Sequence, residues 1–327
     1  MSINEFYRTW PNPHYTSTLF SIVSSIFLRF SRVHIASKVQ HRLAYGLLSP
    51  TLVLMILSGL VPFALVIYFS LHDTFAGEHY IWVGTIWYEQ VLGSAEFHAA
   101  LLRSLGFSIL ALAIQLPLGI YIALKLPSQG LLSKFYIIIF AIPLLMPVIV
   151  VGYIWKFLVL PKIGLLSEFV ALLGWNYNLN DPVVVWITLI VMDAWHWTSL
   201  VVLLCFAGLR TIPDAYNQAA AIDGAGRWTI FRHIQLPKLR LVLLIAGLLR
   251  FMDSFIIYTE AYVLARGGPG VSTNFLSLEL MQTATIQFDL GEGGAIAVIY
   301  ATIVVVVAWL FFSRIIPSQS MKSQKGT

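Results

Sequence analysis

The stretch YNQAAAIDGAGRWTIFRHIQLPK, from Tyr216 to Lys238, decides how the rest of the chain is read. It is polar, carries several basic residues, and is divided by Gly224 into two short helical segments. Around it lies a chain of 327 residues that is 58% hydrophobic and only 11% charged. A soluble domain carries about 25% charged residues. This chain therefore cannot cover a soluble surface with charge, and a segment as polar as Tyr216–Lys238 must be held in water for a reason.

The apolar residues are grouped. A helix needs about 20 mostly apolar residues to cross the hydrocarbon. Six segments qualify: Ala44–Ser70, Leu105–Leu124, Phe135–Leu160, Val183–Gly208, Leu241–Ala265 and Gly294–Ile316. The run Leu19–Leu28 is too short to span and is closed by Arg29 and Arg32. It lacks a small-residue cleavage site after its apolar part, so it reads as an interfacial tail rather than a signal peptide. The expected fold is all-α, a polytopic membrane protein with six transmembrane helices.

Lys and Arg give the direction. With the N-terminus inside, the cytoplasmic side holds Arg8, Arg29, Arg32, Lys38, Arg42, Lys125, Lys134, Arg210, Arg227, Arg232, Lys238, Arg240, Arg314, Lys322 and Lys325. The outside holds Arg103, Lys162 and Arg266, with most of the acids, among them Asp73, Glu89, Glu96, Asp181 and Glu279. Both termini are expected in the cytoplasm. The net charge of +5 follows from this segregation and needs no nucleic acid. The expected division is a cytoplasmic tail 1–42, a first span and outer loop 43–100, a core of five further spans 101–316, and a tail 317–327. Tyr216–Lys238 falls inside the longest cytoplasmic loop, 209–240.

Within that loop Asp214 is a plausible N-cap for a helix over Ala215–Ile222. Ala219–Ala221 keep that helix thin, so another surface can approach closely. Gly224 can take the left-handed conformation that ends it. A second helical stretch carries Trp228, Phe231, Ile234 and Leu236 as apolar anchors, and Pro237 marks where it gives way to the fifth span. The result is a short helix pair held under the membrane, with small and apolar residues on offer to a groove.

Ala219-Ala220, Asp223-Gly224-Ala225 and Ile234-Gln-Leu236-Pro237 at this spacing resemble the "EAA" loop of binding-protein-dependent ABC importer permeases. The resemblance implies the type I ABC importer permease fold. It also implies that Gln218, Ala219, Ala220, Asp223, Gly224, Ile234, Leu236 and Pro237 dock on an ATPase subunit. The family's usual glutamate is Gln218 here, which keeps hydrogen bonding without the charge. "RGGPGVSTNFLSLEL", Arg266–Leu280, is similar to the carbohydrate-uptake, maltose-type branch. "VMDAWHWTSLVVLLCFAGLRTIPDAY" and "LLRFMDSFIIYTEAYV", Val191–Tyr216 and Leu248–Val263, look most like permeases of glycerol importers. The partners implied are a second permease, two ATP-binding subunits, a periplasmic solute-binding protein and membrane lipid in a bacterial inner membrane. ATP and Mg would belong to the partner subunits, and this chain would bind no cofactor of its own.

The candidate solute pathway is read from the membrane-embedded charges Lys156, Asp193, Arg250, Asp253 and Glu260. At 1.5 Å per residue, Asp193 lies about 15 Å below the outer end of its span and Arg250 about 14 Å above the inner end of its own. Both sit near the midplane, so a pair across two helices is expected, with Asp253 on the same face as Arg250. Trp195, His196, Trp197 and Tyr258 add apolar faces and hydrogen-bonding groups suited to a small hydroxylated solute. Two readings stay open: a polar pathway lining, and a structural ion pair locking two helices. Pro143 and Pro147 are expected to kink the third span, and Lys156 to snorkel to the outer interface. Cys205 reads as a small buried thiol.

The histidines show no metal spacing, so no metal is expected. No Walker A motif, zinc-protease motif or nucleophile elbow occurs, so no enzyme activity is expected of this chain. The expected function is the permease of an ATP-driven importer for glycerol or a related polyol, with a sugar or a glycerol phosphate as the alternative. An ion-coupled secondary transporter is the rival class, but no clear repeat relates the two sets of three spans. The topology has a direct check. Arg227→Cys and Lys322→Cys should react with an impermeant maleimide only after permeabilisation; labelling of intact cells at either position would reverse the orientation.

Overall fold

The structure is a computed structural model that describes residues 45–75 and 79–315. The expected tails 1–42 and 317–327, the run Leu19–Leu28 and the terminal basic residues lie outside the described residues. The chain divides into two units, 1–65 and 66–327. The helix Tyr45–Ser70 (α1) begins in the first unit and enters the second. Its residues up to Leu65 carry apolar side chains outward along their length, as a helix that is hydrophobic all round does when it lies in a membrane.

The second unit opens with a feature that the hydropathy pattern did not indicate. An antiparallel hairpin joins β1 (His72–Phe75) to β2 (His79–Trp82), with Asp73 opposite Ile81. The described chain is therefore not wholly helical. Aromatic packing holds the hairpin, with the His72 ring stacked on Tyr68 at 4.0 Å and edge-on to Trp82 at 5.1 Å. The helices that follow are α2 (Ile86–Gly93), α3 (Ala95–Lys125), α4 (Gly130–Leu145), α5 (Val148–Leu158), α6 (Leu165–Leu172) and α7 (Pro182–Arg210). Then come α8 (Asp214–Ile222), α9 (Arg227–Phe255), α10 (Thr259–Ala265), α11 (Leu276–Met281) and α12 (Leu290–Ile315).

Four of these helices, α1, α3, α7 and α12, are long and apolar enough to cross a membrane. The other two expected spans are broken. α4 and α5 meet at 92°, and α9 and α10 at 43°. The sequence implied a kink at Pro143 and Pro147, but the structure has a right-angle turn. Pro143 is tolerated inside α4, whereas Pro147 has no N–H with which to continue the ladder and stands at the N-terminal cap of α5. The second span also begins earlier than Leu105. Ser94 caps α3 by accepting from the Phe97 N–H at 3.2 Å, so ten more residues are helical and position 100/101 falls inside α3.

A broken helix exposes carbonyls that hydrocarbon cannot satisfy. At the α9–α10 break the Tyr300 hydroxyl donates to the Phe255 carbonyl at 2.7 Å, and the Ser277 hydroxyl donates to that of Ile257. At the far end of α10 the Lys156 ammonium donates to the Val263 carbonyl at 2.9 Å. Lys156 thus serves as a cap for a helix end.

The core is built around α3 and α7. Phe107 and Ala111 of α3 pack with Val185, Leu189 and Met192 of α7 and with Ile257, Ala261 and Leu264 at the α9–α10 break. Phe97 and Ala100 at the opening of α3 pack with Phe251 and Phe255 of α9 and with Ala295, Ile296 and Tyr300 of α12. Cys205 is fully buried with Ala123, Val201 and Phe206, as expected of a small apolar-like residue. Small residues let membrane helices approach closely, and Gly119 is the clearest case. A Cβ there would lie 2.5 Å from Val201 Cγ1 and 2.6 Å from its Cβ. Gly119→Ala should destabilise the purified protein by about 1–3 kcal/mol through overpacking, read as a lowered melting temperature. Adding Val201→Gly, which removes both contacting atoms, should restore part of the loss, and absence of rescue would place the effect elsewhere.

Candidate functional site

Two regions carry chemistry. The first is a closed polar knot inside the membrane helices. Arg250 of α9 is completely buried, and Asp193 of α7 is 2% exposed. The Arg250 Nη2 donates to both carboxylate oxygens of Asp193 at 2.9 and 3.1 Å. Its Nε donates to the Gln115 Oε1 at 2.6 Å, and the Gln115 Nε2 donates to Asp193 Oδ2 at 2.5 Å. The three side chains form a ring that joins α3, α7 and α9. Arg250 Nη1 donates outward to Asp253 at 2.5 Å, and the side chain of Asp253 is 43% exposed. The guanidinium also lies 4.7 Å from the ring centre of Trp197, a cation–π contact.

The depth estimate from the sequence therefore brought the right pair together. Asp193 and Arg250 are paired and buried, the geometry that a lock between two helices requires. Asp253 is the member with a free face. Gln115 was missed, although a lone glutamine in the apolar run "ILALAIQLPLGIYIA" was a usable signal: an amide in hydrocarbon needs a partner.

The remaining pathway candidates do not join one cluster. His196 is buried, its ring 4.7 Å from that of Trp197. Neither ring nitrogen of His196 makes a hydrogen bond of full geometry among the described residues, although the Met146 backbone lies close enough to act on the ring. Trp195 points away and stands edge-on to Trp155 at 6.3 Å, 41% exposed. Tyr258 is stacked on Tyr262 at 5.6 Å. Glu260 is buried on α10, which packs on α5, and makes no ion pair among the described residues.

The second region is the loop Thr211–Leu236. α8 starts one residue earlier than expected, with Asp214 as its first helical residue and Pro213 at the cap, and Asp214 makes no capping hydrogen bond. Its end matches the expectation closely. Gly224 has φ +70°, its N–H donates to the Ala221 carbonyl at 3.1 Å, and the Ala225 N–H reaches back to Ala220 at 2.9 Å. That pair of bonds is a Schellman motif. The second stretch is not a separate helix that gives way at Pro237. It runs straight on as α9. A π turn at Phe231–Gln235 lets the Leu236 N–H reach the Phe231 carbonyl, which makes room for the proline one residue later.

The loop residues divide by exposure. Gln218, Ala219, Ala221, Asp223, Gly224 and Pro237 are exposed, Ile234 and Leu236 half-buried, and Ala220 turned into the chain itself. Ala220 is thus turned away from the surface that Ala219 and Ala221 present. Ile222 and Trp228 stand 87% and 68% exposed beside them. Lys238 lies 4.1 Å over the Tyr216 ring and ties α8 to α9.

Long apolar helices and broken helix pairs around a buried ion pair give the architecture of a polytopic α-helical membrane protein. Residues 115–318 match the family described as the inner membrane component of binding-protein-dependent transport systems, and the chain belongs to that family. The trehalose/maltose transport system permease protein MalF of Thermococcus litoralis is 30% identical over 280 residues, covering 81% of this chain and 92% of that protein. The probable starch degradation products transport system permease protein AmyD of Thermoanaerobacterium thermosulfurigenes is 25% identical, covering 80% of this chain and 89% of its own. A bacterial alginate ABC transporter, crystallised with an alginate pentasaccharide-bound periplasmic protein, aligns with a TM-score of 0.71 at 18% identity over 83% of this chain and 93% of that chain. The fold is that of the type I importer permease.

The lock has a specific test. Arg250→Gln alone leaves the buried Asp193 charge uncompensated, a loss of about 3–5 kcal/mol, and should assemble poorly. Asp193→Asn keeps Asp253 on the Arg250 guanidinium and should cost less. The double variant should recover assembly, with a coupling energy well above the additive expectation; additive losses would remove the lock.

Proposed function

We propose that this chain is one of two different permease halves of an ATP-driven importer of a neutral, polyhydroxylated solute, a saccharide first. The second permease, two ATP-binding subunits that use ATP and Mg, and a periplasmic solute-binding protein complete the machine. The termini lie in the cytoplasm, in line with the distribution of Lys and Arg.

The observation that carries the coupling role is the exposed small-residue end of α8. Ala219, Ala221 and Gly224 offer no bulk, and Ile222 stands free beside them. This is the shape that enters a groove on another protein. The φ of Gly224 fixes the turn. A Cβ at Gly224 would meet nothing within 4 Å, so the constraint there is backbone conformation and not a clash.

The solute class follows from Asp253. A half-open carboxylate at membrane depth does not face hydrocarbon cheaply, so its open side belongs to the pathway or the partner permease. There it accepts hydrogen bonds from hydroxyls and repels anions, which argues against a glycerol phosphate. The relatives named for trehalose, maltose and starch products support a saccharide. Glycerol is the second reading, favoured by the resemblance of Val191–Tyr216 and Leu248–Val263 to glycerol importer permeases.

The importer reconstituted in vesicles with its binding protein decides between them. ATP-dependent uptake of trehalose or maltose is the expected result. Uptake of glycerol alone would replace the saccharide, and uptake surviving on an ion gradient without the ATPase would overturn the importer. Gly224→Val should cut stimulated ATPase activity and uptake together, because a β-branched residue is strained at positive φ by about 1–2 kcal/mol. Gly224→Asn, which tolerates that conformation, should retain most of both.

A further inference from the structure

α6 (Leu165–Leu172) connects two membrane helices, and its two faces differ. The inward face is fixed. The Ser167 hydroxyl donates to the Leu160 and Gly164 carbonyls, at 2.7 and 2.8 Å, which folds α6 back on the end of α5. A Cβ at Gly164 would overlap the Leu158 carbonyl, so a side chain there would prevent that approach. Leu166 of α6, with Tyr177 and Leu179 beyond it, packs on the core that holds Val185 and Leu189 of α7. The outward face is apolar and open. Leu165, Phe169 and Leu172, at the i, i+4, i+7 spacing of one helix face, are 77%, 59% and 86% exposed, and Trp175 just past the helix is 75% exposed.

We infer that α6 lies in the leaflet around the Pro182 end of α7, with Leu165, Phe169 and Leu172 against the acyl chains. Depth carries this. The Tyr177 hydroxyl is hydrogen-bonded to that of Thr188. Thr188 is six residues inside α7, about 9 Å below its first residue. α7 presents Val183, Ile187 and Val191, four residues apart, as an exposed apolar row that starts in its first turn. Hydrocarbon thus reaches the first turn of α7, and the segment that reaches down to Thr188 lies at that level. Helices that lie in a membrane surface bury their apolar face about 5–10 Å, the same depth. Glu168 is exposed on α6 and keeps the helix flat at the boundary, where its carboxylate meets water. Trp175 stands where aromatic rings collect, beside the headgroups. A soluble binding protein does not enter this level. A helix of the second permease can, but contacts between membrane helices favour small and polar side chains, and this face offers Leu, Phe and Leu. The inference rests on α7 crossing the membrane and is independent of the proposed solute.

The test is Phe169→p-benzoylphenylalanine in the assembled importer, irradiated in phosphatidylcholine vesicles, with the adducts read by mass spectrometry. The substitution keeps an exposed aromatic ring, so the variant should assemble normally. A lipid adduct is the expected result; an adduct with the second permease or with the binding protein would overturn the inference and assign the face to that subunit. Nitroxides at Leu165→Cys, Phe169→Cys and Leu172→Cys give an independent reading. Each should collide more with oxygen than with a water-soluble nickel chelate, and the order should reverse at Asn180→Cys, in the polar turn before α7. Cys205 is fully buried and should take up no label. A preference for the chelate along the three positions would place α6 in water and overturn the inference. Loaded binding protein should leave their collision ratio unchanged; a fall in oxygen collisions on adding it would overturn the lipid assignment.

Discussion

Arg250 has a charge that cannot be given up and no water around it. Everything near it is arranged to answer that constraint. Its guanidinium has five N–H donors in a fixed fork, and the structure supplies Asp193, Gln115 and Asp253 as acceptors, with the face of Trp197 against the plane. Each acceptor sits on a helix whose position is then no longer free. The closed ring with Gln115 and Asp193 sets the register of α3, α7 and α9 at one depth. A buried ion pair is weak evidence for added stability, since the desolvation of both charges offsets much of the attraction. Its evident result here is registration: sliding one helix by a turn would leave a charge in hydrocarbon.

The same accounting of polar groups explains the breaks. α9–α10 is discontinuous where a lipid-facing helix could not be, whereas the α4–α5 break leaves Leu145 and Pro147 exposed. Tyr300, Ser277 and Lys156 come from α12, α11 and α5 to occupy carbonyls around the second break. Irregular backbone is thereby placed inside the protein next to the polar knot. Arg103 of α3 supports the segment that follows by donating to the Asn274 carbonyl at 2.8 Å.

Much of this was legible in the sequence. Hydropathy located the four long apolar helices and both broken pairs, because the length needed to cross hydrocarbon is a hard limit. Helical rise alone paired Asp193 with Arg250. The Gly224 turn was readable because few residues but glycine adopt its conformation at no cost. What was not legible depended on which neighbour a side chain would find. Gln115 looked like one amide in an oily helix until Asp193 and Arg250 were brought beside it. Lys156 looked like an interfacial residue because its acceptor, Val263, is 107 positions away. The hairpin at His72–Trp82 rests on aromatic packing among Tyr68, His72 and Trp82, which no alternation of apolar and polar residues announces. Proline marked the discontinuity in the third span but gave no measure of its angle.

The uninterrupted course of α9 has a mechanical meaning. From Arg227 to Arg250 the backbone rises about 35 Å as one rod, and the π turn at Phe231–Gln235 is wound into it and does not divide it. A rod of that length does not absorb a displacement at its foot; it carries it upward. The first place where the chain can bend is Ile256–Tyr258, just past the guanidinium. A tilt imposed at the water-facing end is therefore delivered as leverage on the charged ring before any joint can relieve it, and the ring serves as the fulcrum.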